Sequence, residues 1–226
     1  MLSFLADILA FPLFMLALAG DAMGFSAGAF ARAAVSGEAQ TAALLIAFLA
    51  GVSEMLGQSV ILVVNRVALY RFLASLAFTG VTYVSTALAW ALCAVAVAPL
   101  TRLGALGPAE IAGVIGVVSL AFAPRLFGFL AIAPYFGLAL GNLLEALAMA
   151  LAVFGLHAGF GLPLGAAAFC GGAGWLVSFL VRSYLGHALA KPLGRVRLLV
   201  SGSPLDRSPQ QIIDDLARAL GGDGRK

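Results

Sequence analysis

Apolar residues run along this chain in long blocks broken by short clusters of arginine, proline and glycine. The blocks show neither the alternation of a half-buried strand nor the single stripe of a surface helix. Five of them, residues 41 to 65, 72 to 98, 110 to 133, 136 to 157 and 166 to 190, approach or exceed the ~20 residues a helix needs to cross a hydrocarbon core. They predict an all-α, polytopic helical membrane bundle of five spans. A sixth, shorter candidate covers residues 3 to 20 and contains Asp7 and Pro12, so it reads as an interfacial or short spanning helix. No lysine or arginine precedes Arg32, which argues against a secretory signal. Pro124 and Pro134 bracket "PRLFGFLAIAP", and proline removes a donor and obstructs the preceding turn. The third span is therefore expected to be helical to residue 123 and broken or re-entrant beyond it.

The pattern divides the chain into an N-terminal hydrophobic segment, 1 to 40, a membrane domain, 41 to 190, and a polar tail, 191 to 226. Within the tail, Ser208 is a good N-cap, Pro209 suits the first helical position, Gln211 gives a capping-box spacing, and Gly221 with Gly222 supplies a stop. Ile212, Ile213, Leu216 and Leu220 share one face. An amphipathic helix over residues 208 to 220 follows, lying on the membrane surface or offered to a partner.

Polar residues inside the apolar blocks carry the next inference. At 100° per residue, Ala47, Gly51, Glu54, Gln58 and Asn65 fall within an arc of about 60° on one helix. Small residues permit close approach and the polar groups can bond across to a neighbour, so this face is predicted to meet protein. The span at 136 to 157 repeats the arrangement, with Gly137 and Gly141 in a GxxxG spacing followed by Asn142, Glu145 and Met149. An ionised acid facing lipid at mid-span costs at least ~2.5 kcal/mol, so Glu54 and Glu145 call for protonation or a partner. The available cation is Arg125, provided the broken third span carries it into the bilayer. Arg66, Arg71 and Arg125 are the candidate counter-charges or lipid-headgroup contacts. The seam reads either as a hydrogen-bonded packing network or as a proton- or cation-responsive site.

Composition sharpens the class. Of 226 residues, 62% are hydrophobic and 10% charged, with a mean hydropathy of +1.07; a soluble domain carries about 25% charged residues. The net charge of +3 does not indicate nucleic acid, because the basic residues flank apolar runs, where they set orientation. Alternating crossings place Arg66, Arg71, Arg125, Lys191, Arg195 and Arg197 on one side and Arg32 and Arg102 on the other. The C-terminus is predicted cytoplasmic. Many alanines and eleven arginines against two lysines resemble a bacterial coding style, hence a bacterial cytoplasmic (inner) membrane.

Catalytic and metal patterns are weak. Cys93 and Cys170 sit in apolar runs without partners at ligand spacing, so neither a disulfide framework nor a zinc site is supported. "GFSAG", residues 24 to 28, matches the G-x-S-x-G elbow formally, but that motif needs a preceding strand and a histidine partner, and a glycine-alanine connector accounts for it better. His157 and His187 read as interfacial polar groups, and "CGGAGW", residues 170 to 175, as close helix packing. No catalytic residue, metal ligand or cofactor-binding residue is assigned.

"AGVSEMLGQSVILVVNRV" leading into "RFLASLAFTGVTYVSTALAWALCAVAVA", and then "AFAPRLFGFLAIAPYFGLALGNLLEALAMALAVFGLHAGFGLPLGAAA", resembles bacterial members of the Yip (Ypt-interacting protein) domain family. The two prolines about ten apart, the Pro-Tyr-Phe-Gly step and the following long helix look like the second half of that domain, over residues 41 to 190. The resemblance implies a five-helix, non-enzymatic membrane domain with no catalytic residues to transfer. Eukaryotic relatives act in vesicle traffic through small GTPases, a role not carried over, because their long cytoplasmic N-terminal domain has no counterpart before residue 41.

The leading expectation is a membrane-organising or complex-associated component, its partners being membrane lipids, other membrane protein subunits or a second copy, with the tail as a handle. The alternative is a small transporter or ion pathway using Glu54 and Glu145.

Overall fold

The computed structural model describes residues 2 to 58, 69 to 100, 106 to 132, 136 to 177 and 179 to 180. Among the described residues seven helices follow in order: α1 (Leu2–Met23), α2 (Ala27–Val35), α3 (Gly37–Gln58), α4 (Leu69–Val97), α5 (Pro108–Leu120), α6 (Gly137–Phe160) and α7 (Leu164–Val177). A 3₁₀ turn, Ala98–Leu100, closes α4, and a 3₁₀ stretch, Ala123–Ile132, follows α5. Among the described residues there is no strand.

Local chemistry sets the boundaries. Between α1 and α2 the chain turns at Phe25, whose φ of 56° is left-handed, so "GFSAG" forms the connector. Ser36 is extended and its hydroxyl accepts from the Ala39 N–H at 3.4 Å, opening α3. Pro108 occupies the first position of α5, where its missing donor is harmless, and Glu110 accepts from the Gly107 N–H at 2.7 Å. Helix α6 ends at Gly161 in the left-handed region, with φ 65°, and the His157 ring donates through Nδ1 to the Leu162 carbonyl.

The third apolar block breaks earlier than the pattern predicts. Its α-helix stops at Leu120 instead of residue 123. Pro124 has no N–H for the carbonyl of Leu120, and its ring crowds that carbonyl, so the disturbance reaches back a full turn. Three-residue bonds take over, with Phe122 N–H donating to Ser119 O at 3.1 Å and Arg125 N–H to Phe122 O at 2.9 Å. Ten residues of 3₁₀ geometry is long for a conformation with poorer hydrogen bonds. Side chains from α3 support it, as described below.

Among the described residues four helical stretches are long and apolar enough to cross a membrane: Gly37–Gly57, Phe72–Val97, Pro108–Leu130 and Gly137–Phe160. Ala10–Met23 and Leu164–Val177 are shorter apolar helices. The α5 crossing is central, 67% buried, whereas the α6 crossing is 17% buried and presents most of its surface outward. Alanine and glycine make the core thin. Ala33, Ala43, Ala47, Ala50, Ala87, Ala91 and Ala152 are fully enclosed, and small residues bring helix backbones into contact without a hydrophobic driving force from water.

The nine residues of α2 form a wedge between α5 and α6. A Cβ on Gly116 would stand 2.6 Å from the Ala33 carbonyl, and one on Gly155 would stand 2.5 Å from the Phe30 ring. Phe30 is completely buried and meets Phe154 edge-on at 5.8 Å. Leu18, Phe30 and Ala33, all before residue 41, thus belong to the same core as the spans that follow.

Candidate functional site

Arg125 is the centre of the polar cluster. The 3₁₀ stretch turns it inward, where its side chain is 15% exposed. Its Nη2 donates to Glu145 Oε2 of α6 at 2.9 Å, and its Nη1 lies 3.5 Å from Glu54 Oε2 of α3. The same Nη1 donates to the Tyr83 hydroxyl of α4, and the guanidinium carbon stands 5.3 Å from the Tyr83 ring centroid. A planar guanidinium with five donors can serve several acceptors at once, which an ammonium on a flexible stem does not. Trp175 of α7 donates its indole N–H to Glu145 Oε1 at 3.3 Å. Residues of α3, α4 and α6 therefore meet at one cation carried by the 3₁₀ stretch, and α7 joins the cluster through Glu145.

Two supports hold the 3₁₀ stretch against α3. Ser53 donates its hydroxyl to the Leu126 carbonyl at 2.6 Å and accepts from the Phe129 N–H at 3.1 Å. Gly57 and Gly128 let the backbones approach: a Cβ on Gly57 would lie 3.0 Å from the Gly128 carbonyl, and one on Gly128 would lie 3.2 Å from the Glu54 Cα. Gly51 performs the same task toward α4, where a Cβ would lie 2.6 Å from the Thr79 carbonyl. Phe122 packs edge-on to Tyr83 at 6.0 Å and to Trp90 at 5.9 Å, holding the aromatic wall beside Arg125. Trp90 donates to the Gly171 carbonyl at 2.8 Å, and Gly174 gives it room, so the "CGGAGW" segment is a close helix contact.

The structure gathers some of the sequence-predicted residues and separates others. Glu54, Glu145 and Arg125 meet, and Gly51 lies at the α3–α4 contact. Asn142 is exposed on α6. A Cβ added to Gly141 would meet nothing within 4 Å, so the Gly137/Gly141 spacing is not a helix contact among the described residues. The working GxxxG of α6 is Gly155 with Gly159, against Phe30 and Val117. The side chains of Gln58 and Arg71, all of Asn65 and Arg66, and the tail with its 208 to 220 helix lie outside the described residues. Sequence reasoning passed over Tyr83, Ser53 and Trp175. A phenol and an indole in apolar spans were the available signal, since both need a hydrogen-bond partner when enclosed.

Beside Arg125 a crevice opens, with Thr86, Trp90, Phe122, Glu145 and Trp175 in its walls. Its free volume is about 10 Å³ for the centre of a water-sized sphere, room for one water. Among the described residues no group of three His, Cys, Asp or Glu is placed to hold a metal ion.

Four long apolar helices and a charge cluster enclosed among them define a helical, multi-pass membrane protein. Comparison with family models, with curated proteins and with solved structures finds no match to this chain.

Proposed function

We propose that this chain is a non-enzymatic component of a bacterial cytoplasmic membrane, organising the membrane or a membrane complex through contacts with other membrane proteins. The Yip-like order of features supports this reading, and the arginine distribution along the sequence fits five spans with the C-terminus in the cytoplasm as part of the proposal. The observation that carries it is the engagement of Arg125 by both Glu54 and Glu145, beside a crevice no larger than one water. Arg125 and the two acids engage one another, and what the protein offers to others lies on its outer faces. Cross-linking in native membranes followed by native electrophoresis tests this: a discrete assembly larger than the chain is expected, and deletion of residues 199 to 226 should change its composition. A chain that runs alone and unchanged by the deletion refutes it.

A second reading, a small transporter or ion pathway, draws on the carboxylates of Glu54 and Glu145 being 37% and 39% exposed. Reconstituted vesicles with a pH-sensitive dye separate the two. Flux that falls in Glu54→Gln and Glu145→Gln selects the pathway, and no flux in the wild type removes it.

A further inference from the structure

Asn142 carries a polar side chain on the outer surface of a membrane crossing. It is the sixth residue of α6, and at 1.5 Å per residue its Cα lies about 10 Å from the midpoint of Gly137–Phe160, inside a hydrocarbon core that reaches about 15 Å to either side. The side chain is exposed, and among the described residues its amide makes no hydrogen bond. The outward hydroxyls of α4 are satisfied on their own helix, where Thr82 donates to the Phe78 carbonyl and Ser85 to the Val81 carbonyl, each at 2.9 Å. An amide left in hydrocarbon without a partner is costly, and a group from outside the chain relieves that cost.

The surface around Asn142 sets the shape of that group. At 100° per residue Ala139, Ala146 and Ala150 fall within about 80° of it on one side, and all three are exposed. Glu145, on the other side, is turned to Arg125. Leu138 and Leu143 stand at the edges of the face, 83% and 62% exposed, and the α6 crossing as a whole is 17% buried, the least of the four. Alanines let a second helix approach until side chains bond across the contact. An amide holds donors and an acceptor together, so its complement is another amide. Two copies inserted the same way, related by a twofold axis along the membrane normal, set identical residues of α6 opposite each other at equal depth. Each amide NH₂ then donates to the other's carbonyl oxygen, which satisfies both residues in one contact.

We propose that this chain pairs with a second copy of itself along the outer face of α6, with the two Asn142 side chains hydrogen-bonded to each other across a twofold axis. The pairing rests on the complex-component reading above and names one of its partners.

The test uses full-length protein with a donor or an acceptor fluorescent protein fused after Lys226, the two forms reconstituted together in phosphatidylcholine vesicles over a series of protein-to-lipid ratios. Energy transfer that saturates as a dimer is expected. Asn142→Leu should weaken the association at least about tenfold, whereas Asn142→Gln, which keeps the amide, should stay within about threefold of the wild type. Ala146→Leu keeps the amide and thickens the face, and should weaken the association at least about fivefold. Wild-type transfer no greater than random proximity gives overturns the proposal. Association unchanged in Asn142→Leu or in Ala146→Leu also overturns it, because the contact would then lie on another face. Native assemblies that persist in membranes while the purified chain stays monomeric in vesicles refute the self-pairing and leave the complex-component reading standing.

Discussion

Arg125 and Glu145, 20 residues apart in sequence, are joined by a 2.9 Å charge-assisted hydrogen bond between a 3₁₀ stretch and a long α-helix. Such a bond is about twice as strong as a neutral one, and here it ties the irregular segment to α6. Glu54 stands farther off at 3.5 Å and adds attraction without an equivalent hydrogen bond.

Replacing Arg125 by leucine removes the guanidinium that both Glu54 and Glu145 engage. Fully buried pairs lose about 3–5 kcal/mol when one partner is removed, and the partial exposure of both acids lowers the expected loss to about 2–3 kcal/mol. Unfolding in mixed micelles measures it. Arg125→Lys should recover less than half of the loss, because one ammonium cannot reach Tyr83 and both carboxylates together.

Glu145→Gln is expected to destabilise more than Glu54→Gln. A double-mutant cycle with Arg125 should give a coupling of about 1–2 kcal/mol for Glu145 and below about 1 kcal/mol for Glu54. Equal couplings would contradict the difference between 2.9 and 3.5 Å.

The two GxxxG spacings of α6 should behave in opposite ways. Gly155→Ala forces a methyl to within 2.5 Å of the Phe30 ring and should cost about 1–3 kcal/mol while displacing α2. Gly141→Ala meets open space and should be neutral, or stabilising by up to about 1 kcal/mol through helix propensity. Thermal denaturation of the two variants side by side checks the pair.

Ser53→Ala removes both the donor to Leu126 O and the acceptor of Phe129 N–H. A loss of about 1–3 kcal/mol is expected, together with faster hydrogen exchange at the Phe129 amide. Unchanged exchange there would show that the 3₁₀ stretch does not depend on α3.

Much of the helix layout was legible along the chain because hydrocarbon imposes a simple condition: backbone groups must be satisfied within the segment, and side chains must be apolar for about 20 residues. Leu69–Val97 and Gly137–Phe160 lie within three residues of the blocks that predict them. Pro124 likewise announced the break, although the lost carbonyl partner moved it to Leu120. The angular stripe brought Gly51 and Glu54 onto the packed face of α3, since periodicity is a property of a single helix.

Contacts between distant segments obeyed no such local rule. Which glycine pair of α6 meets a neighbour depended on where α2 wedges, and nothing in the spacing distinguished Gly137/Gly141 from Gly155/Gly159. Tyr83, Ser53 and Trp175 joined the cluster through rotations of α4, α3 and α7 about their own axes, which are set by ridge-and-groove packing across the bundle. Apolar length and the positions of proline and charge established a helical membrane chain; only packing in three dimensions decided that one arginine would stand between two acids.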